Sequence, residues 1–168
     1  KHNIDEYLNT IYQLKEAKPG IKFSSDFIIG YPGETEEDFN ETLKLINDIH
    51  FINSYSFIFS PRPGTSAANL NTVSTDKSKI RLIKLQTMLE KINAENKKKS
   101  LHQSIEVLFE NKLKNQNKYF GRDKFLNSVI VESNQNLSGQ LLNVEIKNFN
   151  HNSLFGDIIN NTTKIHAA

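Results

Sequence analysis

The 168-residue sequence contains no cysteine, no tryptophan and a single methionine. Without cysteine the chain can form no disulfide, no thiolate metal site and no cysteine nucleophile. Its five histidines, His2, His50, His102, His151 and His166, are scattered without ligand spacing, and they predict no metal site. No Ser–His–Asp order and no paired-carboxylate constellation stands out. No apolar run approaches the roughly 20 residues of a membrane span. The opening Lys1-His2-Asn3-Ile4-Asp5-Glu6 has neither an initiator Met nor the apolar centre of a signal peptide, so the chain reads as cut from something longer. Apart from Asn and Lys enrichment there is no repeat or low-complexity tract. A reducing cytoplasm is the default location for such a composition.

What is present is unevenly charged. Residues 1–75 hold 6 Lys/Arg against 10 Asp/Glu, a net of −4, and residues 76–168 hold 15 against 9, a net of +6. Such asymmetry suggests that the second half meets a polyanion. A solvated, Lys-rich helix accounts for the same numbers. Hydrophobic residues make up 37% of the chain, enough for one domain or two small ones.

Asn3 and Glu6 have the spacing of a capping box, and Ile4, Tyr7, Leu8, Ile11, Tyr12 and Leu14 make a helical stripe that Pro19-Gly20 stops. Ile21 to Ile29 reads as a buried parallel strand. Thr35 with Asp38 opens a second helix, with Phe39, Leu43, Ile46 and Ile49 on one face. Phe51 to Phe59 is a second strand, and residues 66–75 are small and polar. Helix, strand, helix, strand with short connections is the grammar of a parallel sheet. A long helix from about Asp76 to Ser100 should bury Ile80, Ile83, Leu85, Met88, Leu89 and Ile92. Its terminal Lys97-Lys98-Lys99 suits the negative end of a helix. Five short β-rich runs follow: Ile105–Phe109, Lys118–Gly121, Ser128–Val131, Leu141–Ile146 and Gly156–Ile159. They predict a small antiparallel barrel of the oligonucleotide-binding type.

Two loops could carry chemistry. In Gly30-Tyr31-Pro32-Gly33-Glu34 the glycines let backbone approach a ligand, Pro32 stiffens the turn and Glu34 brings a carboxylate. Asp26 is an acid in an otherwise apolar strand, where burial would demand a specific partner. A strand-end turn plus helix cap, with Asp26 paired to a neighbouring strand, explains the same residues. In Ser60-Pro61-Arg62-Pro63-Gly64-Thr65 two prolines fix the backbone around Arg62. A guanidinium so presented suits a carboxylate or phosphate, and it equally suits an inter-strand salt bridge.

Asp26-Phe27-Ile28-Ile29-Gly30-Tyr31-Pro32-Gly33-Glu34-Thr35, Glu37-Asp38-Phe39, and the Ser60–Thr65 loop with Ala67-Ala68 resemble the fifth and sixth strand–loop units of the radical S-adenosylmethionine methylthiotransferases. Gly121-Arg122, Asn127 with Val129-Ile130-Val131, Gly139-Gln140-Leu141-Leu142, Val144-Glu145-Ile146 and Asn152-Ser153-Leu154-Phe155-Gly156 resemble the family's RNA-binding TRAM barrel. The family consensus has Phe at Tyr31, Arg at Phe155 and a basic residue near Asn127. The resemblance implies an α/β plus all-β chain. Residues 1–100 would be the C-terminal part of a partial TIM-type radical SAM barrel with its closing helix, and residues 101–168 an antiparallel OB-like TRAM barrel.

Ser56-Phe57-Ile58-Phe59 and Arg62 resemble the tRNA-modifying branch rather than the branch acting on a ribosomal protein. The implied activity is addition of a methylthio group to isopentenyl-adenosine beside the anticodon. A sister enzyme acting on threonylcarbamoyl-adenosine in tRNA or on a ribosomal protein, and a non-catalytic RNA-binding module, are the rivals. The implied cofactors are S-adenosylmethionine and two 4Fe-4S clusters, the latter held outside this cysteine-free chain, which alone should be inactive. Implied cofactor-binding residues are Asp26, Ile28, Gly30, Gly33, Glu34 and Arg62. Implied RNA contacts are Arg122, Lys124, Asn127 and Lys147, with Phe125 or Tyr119 as stacking surfaces, although a place in the core explains each aromatic singly. The partner would be tRNA, with no membrane, and the whole enzyme would be monomeric.

Overall fold

The computed structural model describes residues 3–159. They divide into two compact units, the first up to Leu89 and the second from Glu90.

In the first unit, helix α1 (Ile4–Ala17) begins on the capping box that Asn3 and Glu6 predict, with the Asn3 side chain accepting from the Glu6 N–H. Strand β1 (Asp26–Ile29), helix α2 (Glu36–Ile49) and strand β2 (Tyr55–Ile58) follow, and β1 lies parallel to β2 with Asp26 opposite Tyr55 and Ile29 opposite Ile58. Both strands are shorter than the apolar runs suggest. The Ile52 N–H still donates to the Phe23 carbonyl and the Tyr55 N–H to that of Ser25, but regular pairing is confined to four residues on each side. Helix α2 buries Phe39, Leu43, Ile46 and Ile49 as its spacing predicts.

The Thr35 hydroxyl accepts from the Asp38 N–H, and the Asp38 carboxylate accepts from the Thr35 N–H and hydroxyl. Those bonds hold the Asp38 carboxyl below its ordinary value, and a hydrogen bond from Arg81 does the same for Glu36. Both groups therefore stabilise the fold when ionised. Their contribution is present above the unfolded carboxylate range and is lost as pH falls through the depressed folded values. The thermal midpoint should drop between about pH 5 and about pH 2, and Asp38→Asn should flatten that slope. An unchanged slope in calorimetric scans of the variant would remove Asp38 from the account.

A single 3-10 turn (Ser66–Asn69) leads to helix α3 (Thr75–Lys99). Its inner face differs from the predicted one. Ile80 and Ile83 are 68% and 64% exposed, whereas Ser78, Arg81, Leu85, Leu89 and Ile92 are buried. Steps of three and four residues put those five on one helical stripe. The polar anchor at Arg81, described below, fixes the helix's rotation and turns the two isoleucines outward.

The second unit is a closed barrel of β3 (Ser104–Lys112), β4 (Lys118–Asp123), β5 (Ser128–Glu132), β6 (Leu141–Phe149) and β7 (Ser153–Ile158), in the order β3-β4-β5-β7-β6. The five runs were legible, but the barrel is mixed and not antiparallel, because β5 and β7 pair in parallel. Alternate residues point inward, and Val107, Phe109, Tyr119, Val129, Val131, Val144, Ile146 and Leu154 fill the core with Leu137. Closure gives each of the five strands a neighbour on both sides, which removes the exposed edges of an open sheet.

Candidate functional site

The first candidate site is the β1–α2 loop. Strand β1 alternates, with Phe27 and Ile29 buried and Asp26 and Ile28 exposed. Phe27 meets Phe51 edge-on at 5.4 Å between ring centroids. The opposite face carries Ile28, Tyr55 and Phe57, which are 58%, 68% and 54% exposed. Asp26 shares that face, so the expectation of a buried acid with a specific partner is corrected. Its carboxylate makes no hydrogen bond among the described residues. Ile28, Tyr55 and Phe57 give the two-stranded sheet an exposed apolar face.

Gly30 follows β1 with φ of 74°, and Gly33 has φ of 87°. The Glu34 N–H donates to the Tyr31 carbonyl at 2.9 Å, closing a tight turn, and the Tyr31 ring lies edge-on to Phe59 at 5.1 Å. Glu34 folds back into this turn, its Oε2 accepting from the Gly30 N–H at 2.8 Å. Its Oε1 lies 2.5 Å from Nη1 of Arg81, whose side chain is only 2% exposed. The same guanidinium donates to the Glu34 carbonyl at 3.2 Å, the Thr35 carbonyl at 2.9 Å and Glu36 Oε2 at 2.9 Å. It stacks on the Phe39 ring at 5.3 Å. Burial disfavours the charged guanidinium, but its hydrogen bonds to Glu36 and Glu34 outweigh that cost, and its pKa is raised. Both carboxylate oxygens of Glu34 are thus engaged within the chain.

Sequence reasoning missed Arg81. An arginine at an interior helix position carries no local signal, and its partner lies 47 residues away. Arg62 is exposed on the loop after β2. It forms no salt bridge among the described residues, so the inter-strand pairing considered for it is not seen.

The second candidate site is the outer surface of the barrel unit. Arg122, near the end of β4, pairs with Glu110 at 2.9 Å and lies over the Phe120 ring at 5.4 Å. Lys124 lies over Phe125 at 5.0 Å. Lys147 is paired with Glu145 at 2.7 Å. These ion pairs are exposed enough for solvent to screen them, so the cations remain free to exchange partners. Asn127 is held differently. Its amide donates to Asp123, whose other oxygen accepts from the Phe125 and Asn127 N–H groups, so it organises the β4–β5 turn. Tyr119 is 5% exposed and part of the core, which removes it as a stacking surface. Phe120, Ile130 and Phe155 instead stand opposite one another on adjacent strands. All three are half-buried, and Phe155 completes that apolar row where the family consensus has Arg. In the lysine run, Lys97 donates to the His151 carbonyl and burial lowers its pKa, while Lys98 and Lys99 stay exposed.

Among the described residues no group of three or more His, Cys, Asp or Glu could hold a metal ion. No helix there is long and apolar enough to cross a membrane.

No family model matches the chain. Similar curated proteins do exist. One from Pelagibacter ubique (strain HTCC1062) is 52% identical over 165 residues, covering 98% of this chain and 37% of the relative. One from Buchnera aphidicola subsp. Baizongia pistaciae is 44% identical over 92% of this chain and 35% of the relative. A third, from Wolbachia pipientis subsp. Culex pipiens, is 40% identical over 93% of this chain and 36% of the relative. All three carry one name, tRNA-2-methylthio-N(6)-dimethylallyladenosine synthase. The chain spans little more than a third of their length.

Proposed function

We propose that this chain, a homologue over nearly its whole length of the tRNA-2-methylthio-N(6)-dimethylallyladenosine synthases, supplies the last strands of a radical S-adenosylmethionine barrel and an RNA-binding TRAM barrel to a tRNA methylthiotransferase. The shared name of relatives at 40–52% identity is the observation that carries this reading. It favours the dimethylallyl (isopentenyl) adenosine branch over the sister substrates.

Iron–sulfur clusters do not fit on this chain, because it offers no thiolate; their ligands belong to another part of the enzyme. S-adenosylmethionine does fit the first unit. Gly33 has open space where a Cβ would stand, the β1–β2 face is exposed, and the Arg62 guanidinium on the neighbouring loop has no salt bridge among the described residues. When bound, this cofactor would supply the methyl group and the radical. Ile28 would pack on it, Gly30 and Gly33 would bring backbone close, and Asp26 would accept hydrogen bonds from it. Arg62 would bind its carboxylate or an RNA phosphate. Glu34 would shape the turn from behind. In the second unit Arg122, Lys124 and Lys147 would neutralise tRNA phosphates, and Phe125 would offer a ring for stacking. Asn127 would support the turn that presents Lys124.

Titration of labelled tRNA at two salt concentrations tests the RNA half of this reading. Replacing Arg122 and Lys124 with Ala should weaken binding and reduce the salt slope by about 2, one for each phosphate that is no longer neutralised. Phosphate binding mainly through Lys98 and Lys99 would instead leave that variant unchanged and make the lysine pair the sensitive one. If neither pair alters the slope, the second unit does not bind RNA in this way.

A further inference from the structure

We propose that Arg81 is a positioning residue for the cofactor loop, acting through Glu34 and never touching the ligand; the inference rests on the reading of Gly30–Glu34 as part of the S-adenosylmethionine site. Glu34 closes the loop on itself through the Gly30 N–H. Arg81 then fixes that carboxylate and two successive loop carbonyls, those of Glu34 and Thr35. What one guanidinium holds is therefore backbone geometry across the turn, set by a planar fork of donors. The Arg81 side chain is 2% exposed, whereas Ile28 and Tyr31 on the loop's outer side are 58% and 49% exposed. A ligand on that outer face cannot reach the arginine.

Two further observations point to geometry as the purpose. The Arg81 Nε is buried with no acceptor among the described residues, and a buried ion pair with an unsatisfied donor is a poor way to gain stability. Ser78, one turn before Arg81, lies against Gly30, so closely that a Cβ there would collide with its hydroxyl. Helix α3 therefore abuts both ends of the loop, with Ser78 at Gly30 and Arg81 at Glu34.

The test uses the full-length protein containing this chain, with Arg81→Lys, Glu34→Gln and the double variant. Lysine keeps the charge but cannot span the carboxylate and two carbonyls. Arg81→Lys should raise KM for S-adenosylmethionine roughly tenfold in 5′-deoxyadenosine release, with kcat at saturation nearly unchanged. Amide exchange of residues 30–35 should quicken, and the double variant should be no worse than Arg81→Lys, because both act through the same ion pair. Should Arg81→Lys fail to fold, Glu34→Gln, which keeps the shape and the Gly30 hydrogen bond, provides the same readout. Parallel falls in kcat and thermal midpoint with unaltered KM would reduce Arg81 to a stability role and overturn the proposal. Added S-adenosylmethionine should also slow amide exchange of residues 26–34 in the unsubstituted protein. If that protection is absent, the cofactor-site reading falls and this proposal with it; if it is present while KM ignores Arg81→Lys, only the proposal falls.

Discussion

Gly156→Val is expected to destabilise the barrel unit severely. Gly156 lies on β7 between two neighbours, opposite Val131 on β5 and Ile146 on β6. A Cβ added there would run into the Glu145 carbonyl oxygen and come within 2.8 Å of a Val144 methyl. The first obstacle is backbone already committed to strand pairing, and the second belongs to a core residue with no exposure. Neither can retreat without opening the seam between β6 and β7, where the register already shifts between Ile146 and Asn148. Overpacking by a single methylene costs about 1–3 kcal/mol. Three carbons against fixed backbone should cost about 3–5 kcal/mol, a large part of the roughly 5–15 kcal/mol that stabilises a domain. Asp157→Val, one position on and exposed, is the control and should stay within about 0.5 kcal/mol. Amide exchange at Val107, Val129 and Val144 reads the outcome, since these core positions open only with the barrel. Protection in Gly156→Val equal to that of the unsubstituted chain would show that the seam is looser than its geometry indicates.

Local signals were legible in this sequence, and long-range ones were not. The capping boxes at Asn3–Glu6 and Thr35–Asp38 and the buried stripe of α2 follow from spacings of three and four residues, and all three appear. The five β runs of the second unit were readable from alternation and turn residues, because each strand has one face in the core. Their pairing was not readable. The parallel β5–β7 pairing depends on how the chain returns after β6, which no local pattern encodes. Strand ends failed for the same reason: Ile21 to Ser24 alternates apolar and polar residues as a strand does, but regular pairing in the described structure begins only at Asp26. The inner face of α3 failed through a competition of effects. Hydrophobicity favoured Ile80 and Ile83, yet Arg81, with two carboxylates and two carbonyls to satisfy it, took the inside position. Of the candidate residues, Glu34 and Asn127 each hold a turn within the chain, through the Gly30 N–H and Asp123 respectively. For Tyr119 sequence left core and stacking surface both open, because a core aromatic and an exposed one read alike, and the structure places it in the core.

Gly30→Ala should separate the two constraints on the β1–α2 loop. The first is conformational: φ is 74° at Gly30, a left-handed geometry that costs an L-residue about 1–2 kcal/mol. The second is steric. The new methyl would collide with the Ser78 hydroxyl and stand 3.1 Å from the Ser78 Cβ, and Ser78 is 1% exposed with no open space to enter. Together these should destabilise the first unit by about 2–4 kcal/mol. Ser78→Ala deletes the hydroxyl and leaves the Cβ, a close approach that a shift of a few tenths of an ångström relieves. In that background Gly30→Ala should cost only the conformational share, about 1–2 kcal/mol. Urea denaturation of the four-member cycle, followed through amide exchange of Phe39 and Ile46 in the buried face of α2, measures both terms. A coupling near zero would mean that α3 yields at its first turns. The loop would then be held by Arg81 alone, and Ser78 would have no part in seating it.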